Sequence, residues 1–267
     1  MPFADNGGVS LYYEESGPPD ADPVVFVEGL GYGRWMWRWQ RARFEAEYRA
    51  VVWDNRGTGD SDAPDGPYSV AEMANDLESV LADLGVDSAH VVGASMGGMI
   101  AQRYAVEYDR AKSLVLLCTS PGGDDAAPTP PETRARMFDV PEGYDEREAI
   151  RYKMAPALTD EFAEANDDLL ADIVDRRLAG DASDDARRAQ AAGVANFDAS
   201  DRLDEIDVPV LVAHGTDDRV LPVENARVLR DRLPDAELEL FDGGSHLFFI
   251  ERADAVNDRI AEFLNDA

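Results

Sequence analysis

A serine hydroxyl is a weak nucleophile until a base takes its proton, and that base works best when an acid orients it. Three stretches of the chain carry these residue types. Gly93-Ala94-Ser95-Met96-Gly97 holds a serine between two glycines, each two residues away. That spacing suits a tight, strained turn in which side chains at the glycine positions would clash, leaving Ser95 Oγ exposed. Gly243-Gly244-Ser245-His246 sets a histidine in a glycine-rich loop. His214-Gly215-Thr216-Asp217-Asp218-Arg219 offers two adjacent carboxylates. The chain order is serine, acid, histidine, and the chemistry is attack on a carbonyl.

The chain has three histidines, His90, His214 and His246. His90 lies inside an apolar run and reads as structural. His214 ends another such run, where it could come near the site. A base needs a loop position from which it can reach both serine and substrate, which favours His246. Cys118, the single cysteine, ends an apolar run with no neighbouring group to activate it, so an inert buried thiol is expected. No paired-cysteine or His-x-x-x-His motif suggests a metal, and the glycines lack the spacing and lysine of a phosphate-binding loop. No cofactor is implied.

These groups need a scaffold that brings them together. Short apolar runs at 23–27, 50–53, 89–92, 113–118, 208–213 and 236–241 read as buried strands, and an alternating run at 9–13 as a further one. Helical spacing appears at about 35–47, 69–84, 223–233 and 253–264, with Ser69 and Glu72 forming a capping box and Gly85 a stop. Ser95 falls between a buried strand and a helix that starts near Met96, so the helix N-terminus faces a developing oxyanion. Alternation of strand and helix at both ends predicts an α/β fold with a mostly parallel sheet covered on both faces. Composition changes after residue 120, and 121–205 looks helical and acidic. Core residues 1–120 and 206–267 with a helical cap inserted at 121–205 are therefore expected.

The chain has 267 residues, with 55 Asp and Glu against 25 Lys and Arg, for a formal net charge of -30. Lys112 and Lys153 are the only lysines. Acidic residues are spread along the whole length, a property of the entire surface. Such a field disfavours nucleic acid and anionic membranes as partners. An acidic, lysine-poor surface resembles that of cytoplasmic proteins from salt-loving microbes, which predicts stability that rises with salt. No run approaches the roughly 18 apolar residues of a membrane span. The N-terminus lacks the basic and apolar regions of a signal peptide, so a cytoplasmic location is expected. Oligomeric state is not legible.

Together the three motifs resemble those of the α/β-hydrolase superfamily, in the branch of small-ester hydrolases, enol-lactonases and cofactor-free perhydrolases. Asp54-x-Arg56-Gly57-x-Gly59-x-Ser61 matches a fourth, structural motif. By this resemblance the acid lies three residues after Gly215, which is Asp218, with Asp217 as the adjacent alternative. The resemblance also implies an oxyanion hole from the N–H groups of Met96 and Leu30. Where the family commonly has His-Gly, this chain has Glu28-Gly29. Glu28 is either a structural carboxylate or a pocket group that tunes the reaction. Trp35, Trp37 and Trp39 follow; core packing is expected for most, with Trp35 a candidate for the pocket wall.

The resemblance implies a serine hydrolase acting on a small carboxylic ester or lactone, a small-molecule substrate held under the cap. Ser95 would attack, His246 accept and return the proton, and water release the acyl group. A perhydrolase or a carbon–carbon bond hydrolase would share this triad. A non-catalytic, receptor-like relative would keep the fold without an activated serine.

Overall fold

A computed structural model describes residues 2–267. Its centre is one eight-stranded sheet built from the apolar runs. Strands β1 (Phe3–Asn6), β2 (Val9–Ser16), β3 (Pro23–Val27), β4 (Arg49–Trp53), β5 (Ala89–Ala94), β6 (Ala111–Leu117), β7 (Val210–Gly215) and β8 (Ala236–Phe241) stand in the order β1-β2-β4-β3-β5-β6-β7-β8. From β4 to β8 all neighbours pair in parallel. Every residue of β5 and β7 is buried, which is why these strands read as continuous apolar runs and not as alternation. The first two strands add an antiparallel edge. β1 is four residues long and has too little pattern to stand out in the sequence.

Helices cover both faces, as helix–strand alternation requires. They are α1 (Arg38–Phe44), α2 (Val70–Asp83), α3 (Met96–Glu107), α4 (Pro131–Phe138), α5 (Glu146–Met154), α6 (Asp160–Ala165), α7 (Asp167–Gly180), α8 (Asp184–Ala195), α9 (Glu224–Arg232), α10 (Phe248–Glu251) and α11 (Ala253–Asp266). α1 packs on α11 and α2 on α3. The Ser69–Glu72 capping box forms in both directions at the start of α2. The stretch expected as one helix from about 35 is a 3-10 turn, Arg34–Trp37, followed by α1. Trp37 is wholly buried, 5.3 Å between ring centres from Phe26 and 5.4 Å from Phe249.

Five helices, α4 to α8, lie between β6 and β7. They stand over the C-terminal ends of the strands, where Ser95 follows β5, and contribute side chains to the cavity described below. At the far edge of the sheet Glu237 and Glu239 of β8 both pair with Arg259 of α11. Among the described residues, no helix is long and apolar enough to cross a membrane.

Candidate active site

Ser95 sits in the turn between β5 and α3 with φ 55° and ψ -116°, a backbone region that non-glycine residues rarely adopt. Its N–H donates to Leu117 O at 2.9 Å, which ties the strained turn to the neighbouring strand. Steric demands fix both flanking glycines. A Cβ on Gly93 would lie 2.3 Å from Gly97 O, and one on Gly97 2.0 Å from Val27 O. The N–H of Met96, first residue of α3, and that of Leu30 have no acceptor among the described residues. Both are thus free to donate to an oxygen placed above Ser95.

His246 and Asp218 meet although 28 residues separate them: His246 Nδ1 is 2.7 Å from Asp218 Oδ2. Asp218 Oδ1 accepts from the N–H groups of Val220 at 2.7 Å and Leu221 at 2.9 Å, so the carboxylate cannot rotate freely. Burial opposes ionisation of this acid, but His246 and His214 outweigh it and hold the carboxyl well below the usual carboxylate range. An ionised Asp218 fixes the proton of His246 on Nδ1 and leaves Nε2 as the acceptor. Asp217 is exposed and takes part in no such pair.

His214 lies wholly buried on the other side of the acid. Its Nε2 is 2.9 Å from Leu221 O and 3.2 Å from Asp218 Oδ2. Both neighbours are acceptors, so this nitrogen carries a proton and donates. His214 therefore braces the acid and does not face the serine. His90, at the opposite end of β5 from Ser95, bonds Ser113 Oγ through Nδ1 at 2.7 Å. Burial and then Lys112 push its pKa down to about 4. It is a structural neutral histidine, as its position in an apolar run suggests.

One cavity joins the parts. Gly29, Leu30, Met36, Ser95, Cys118 and His246 line it from the sheet side. Met137, Lys153, Met154, Ala157, Arg177 and Arg187 line it from the segment between β6 and β7. Ser95 Oγ and the His246 ring share this cavity without a hydrogen bond to each other, a bond that often tightens only when substrate arrives. Burial and the charge of Asp218 raise the Cys118 thiol well above its usual range, which suits an inert role. Among the described residues, no group of three or more His, Cys, Asp or Glu is placed to hold a metal ion.

The expectation of Trp35 in the pocket wall needs correction, and of the two readings of Glu28 the structural one fits its surroundings. Trp35 does not line this cavity: its Nε1 donates to Asp181 Oδ1 at 2.8 Å, and its ring lies at a separate surface depression with Arg34 and Arg38. The 3-10 geometry turns Met36 inward in its place. Glu28 lies behind the loop, wholly buried, and its Oε1 accepts from Asn55 N at 2.5 Å. The fourth motif, from Asp54 to Ser61, is structural here as well. Arg56 makes a buried ion pair with Asp76 at 2.6 Å, and a Cβ on Gly59 would lie 2.1 Å from Asp54 Oδ2. Met36, Lys153, Arg177 and Arg187 were missed at the sequence level because nothing local marks them as facing inward.

The chain matches the α/β-hydrolase fold family over residues 22–253. A putative carbamate hydrolase, RutD, of Variovorax paradoxus is 32% identical, with 95% of this chain and 96% of the relative covered. A solved N-acyl homoserine lactone degrading enzyme is 30% identical at TM-score 0.84, covering 98% of this chain and 100% of its own. The enol-lactonase from Burkholderia xenovorans is 26% identical at TM-score 0.86, covering 99% and 100%.

Proposed function

From the premise that the chain belongs to the α/β-hydrolase family, we propose that it is a serine hydrolase of small carbonyl substrates, esters or lactones first, with Ser95, His246 and Asp218 as its triad. The observation that carries this reading is the pairing of His246 Nδ1 with Asp218 Oδ2 at 2.7 Å beside a cavity that also holds a serine on a strained turn. Relatives named as a lactone-degrading enzyme, an enol-lactonase and a putative carbamate hydrolase support a carbonyl substrate for this chain, and attack on such a carbonyl develops an oxyanion.

The mechanism follows from the parts. Substrate enters with its carbonyl above Ser95. Oγ attacks the carbonyl carbon while His246 Nε2 takes the hydroxyl proton, and Asp218 stabilises the imidazolium. The N–H groups of Leu30 and Met96 hold the oxyanion. His246 then gives the proton to the leaving oxygen, and the C–O bond breaks to leave an acyl-serine. Water, deprotonated by His246, releases the acid and frees Ser95. The segment 121–205 serves as a cap whose side chains form the outer wall of the cavity. The free volume under it is about 50 Å³, room for a few waters, so the acyl group is short unless the cap shifts.

The test is labelling with a fluorophosphonate alongside a rate screen over p-nitrophenyl esters, lactones, carbamates and peracid formation. We expect label on Ser95, no label on Ser95→Ala, and loss of roughly 10⁴-fold or more in kcat for Ser95→Ala and Asp218→Asn. Hydrolysis that persists undiminished in Ser95→Ala would remove this reading. An unlabelled wild-type protein that binds but does not turn over any of these compounds would favour the receptor-like alternative. The screen itself separates ester and lactone hydrolysis from peracid formation.

A further inference from the structure

Part of the wall of the cavity that holds Ser95 is cationic, in a molecule that carries an excess of 30 negative charges. Lys153, Arg177 and Arg187 all line it. Two of them have carboxylate partners: Arg177 with Asp181 at 2.6 Å, and Lys153 with Asp184 at 3.5 Å. Arg187 has none. Among the described residues it makes no ion pair, and its buried Nε has no hydrogen-bond partner. Among the described residues the other cations without a carboxylate within 4 Å are Arg134, Arg136 and Arg252, all on the exposed surface where water solvates them. With 55 acidic side chains available, an unpaired guanidinium on a residue that lines the cavity of the nucleophile is the exception among the described residues.

Its placement is specific. The Arg187 stem passes over Gly31 in the loop that carries Leu30, where a Cβ on that glycine would meet Arg187 Cγ at 3.3 Å. Its guanidinium carbon lies 5.4 Å from the centre of the Phe138 ring. Burial, and then the nearby Arg177 charge, lower its pKa from the ordinary value. Burying this cation without a carboxylate partner costs free energy, and an anion between the two guanidiniums would relieve it. Arg187, Lys153 and Met137 also line an outer depression with Asp184 and Arg188, so the same side chains stand between the cavity and the surface.

We propose that the wall formed by Arg187, with Arg177 and Lys153 beside it, is a carboxylate-binding subsite, and that the substrate is an ester or lactone whose acyl part carries a carboxylate a few carbons from the scissile carbonyl. This rests on Ser95 as the nucleophile of that same cavity. Arg187 binds the carboxylate in a forked pair, and Lys153 adds charge at the entry side. The cations also answer an electrostatic difficulty: the molecule as a whole repels an anion, and a local positive wall is what admits one.

The test compares the mono-p-nitrophenyl ester of glutaric acid with p-nitrophenyl pentanoate, which has the same acyl chain length and no carboxylate, at one ionic strength. We expect the anionic ester to be favoured at least tenfold in kcat/KM, through KM. Arg187→Gln should lose that preference at least tenfold, and Arg187→Lys should regain part of it. In parallel, calorimetry with glutarate on Ser95→Ala should detect binding, and the Ser95→Ala/Arg187→Gln double variant should bind at least tenfold more weakly. Equal or better turnover of the neutral ester, unaltered by Arg187→Gln, would overturn the subsite while leaving Ser95 as nucleophile. If neither ester is cleaved and fluorophosphonate does not label Ser95, the hydrolase reading fails, and the glutarate titration alone decides the subsite. Absence of glutarate binding would then overturn it too.

Discussion

Glu28 occupies a place where ionisation costs free energy. Burial first, and then the charge of Asp54, hold its carboxyl pKa well above the usual range, while the Asn55 N–H contact favours the charged form less strongly. A raised folded-state pKa means the folded protein keeps a proton that the unfolded chain releases. Stability from this group is therefore lost as pH rises from the unfolded value, near 4.5, toward the folded one. Glu28→Gln keeps an acceptor for Asn55 N–H and cannot ionise. We expect its ester hydrolysis to stay within about twofold of wild type. Its stability relative to wild type should rise between pH 5 and pH 8 in denaturant titrations. A variant whose relative stability is flat across that range would show that Glu28 does not hold its proton. Arg187 gives the contrasting lesson at the same scale. In Asp184-Asp185-Ala186-Arg187-Arg188 nothing local separates it from Arg188, and the run reads as a solvated charged helix. Packing over Gly31 and Phe138, a tertiary event, turns one of the two inward.

At the scale of elements, the junction of β5 and α3 and the start of α2 differ in kind. Gly97→Ala puts a methyl 2.0 Å from the carbonyl oxygen of Val27, backbone against backbone. Ser69→Ala removes only the cap at the start of α2, far from any backbone clash. We expect Ser69→Ala to cost about 1 kcal/mol and leave kcat/KM unchanged. Gly97→Ala should cost ~1–3 kcal/mol or more and reduce kcat/KM over 100-fold, because the turn holding Ser95 and the loop holding Leu30 must separate. Thermal melts with ester assays on both variants check this, and an active Gly97→Ala enzyme would contradict it. Elements of this type were legible in the sequence because their physics is local. Buried parallel strands appear as apolar runs, and α2 announces its start with Ser69 and Glu72. The motifs around Ser95, Asp218 and His246 were legible for the same reason. Three things were not. β1 is too short to show a period, the helices α4 to α8 blend into one acidic stretch, and the 3-10 turn at Arg34–Trp37 rotates Met36 where a regular helix would have favoured Trp35.

Across the whole molecule, charge sets the terms of stability. Exposed ion pairs such as Arg188 with Asp185 contribute ~0–1 kcal/mol each and weaken with salt. The uncompensated charge of -30 acts over the entire surface, and its self-repulsion is screened once the Debye length falls from ~10 Å at 0.1 M to ~3 Å at 1 M. The second effect should dominate, so the melting temperature should rise by several degrees between dilute buffer and molar KCl. A fall, or no change, in scanning calorimetry would show that the local pairs outweigh the global field.

The last strand of the sheet has a free side, and an open strand invites another chain to continue the ladder. Glu237 and Glu239 stand on that strand, held by Arg259 of the helix behind it. Two copies meeting there about a twofold axis would line up four carboxylates along a single seam, with each Arg259 already engaged. The β8 border of the sheet thus carries its own deterrent against lateral growth on that side.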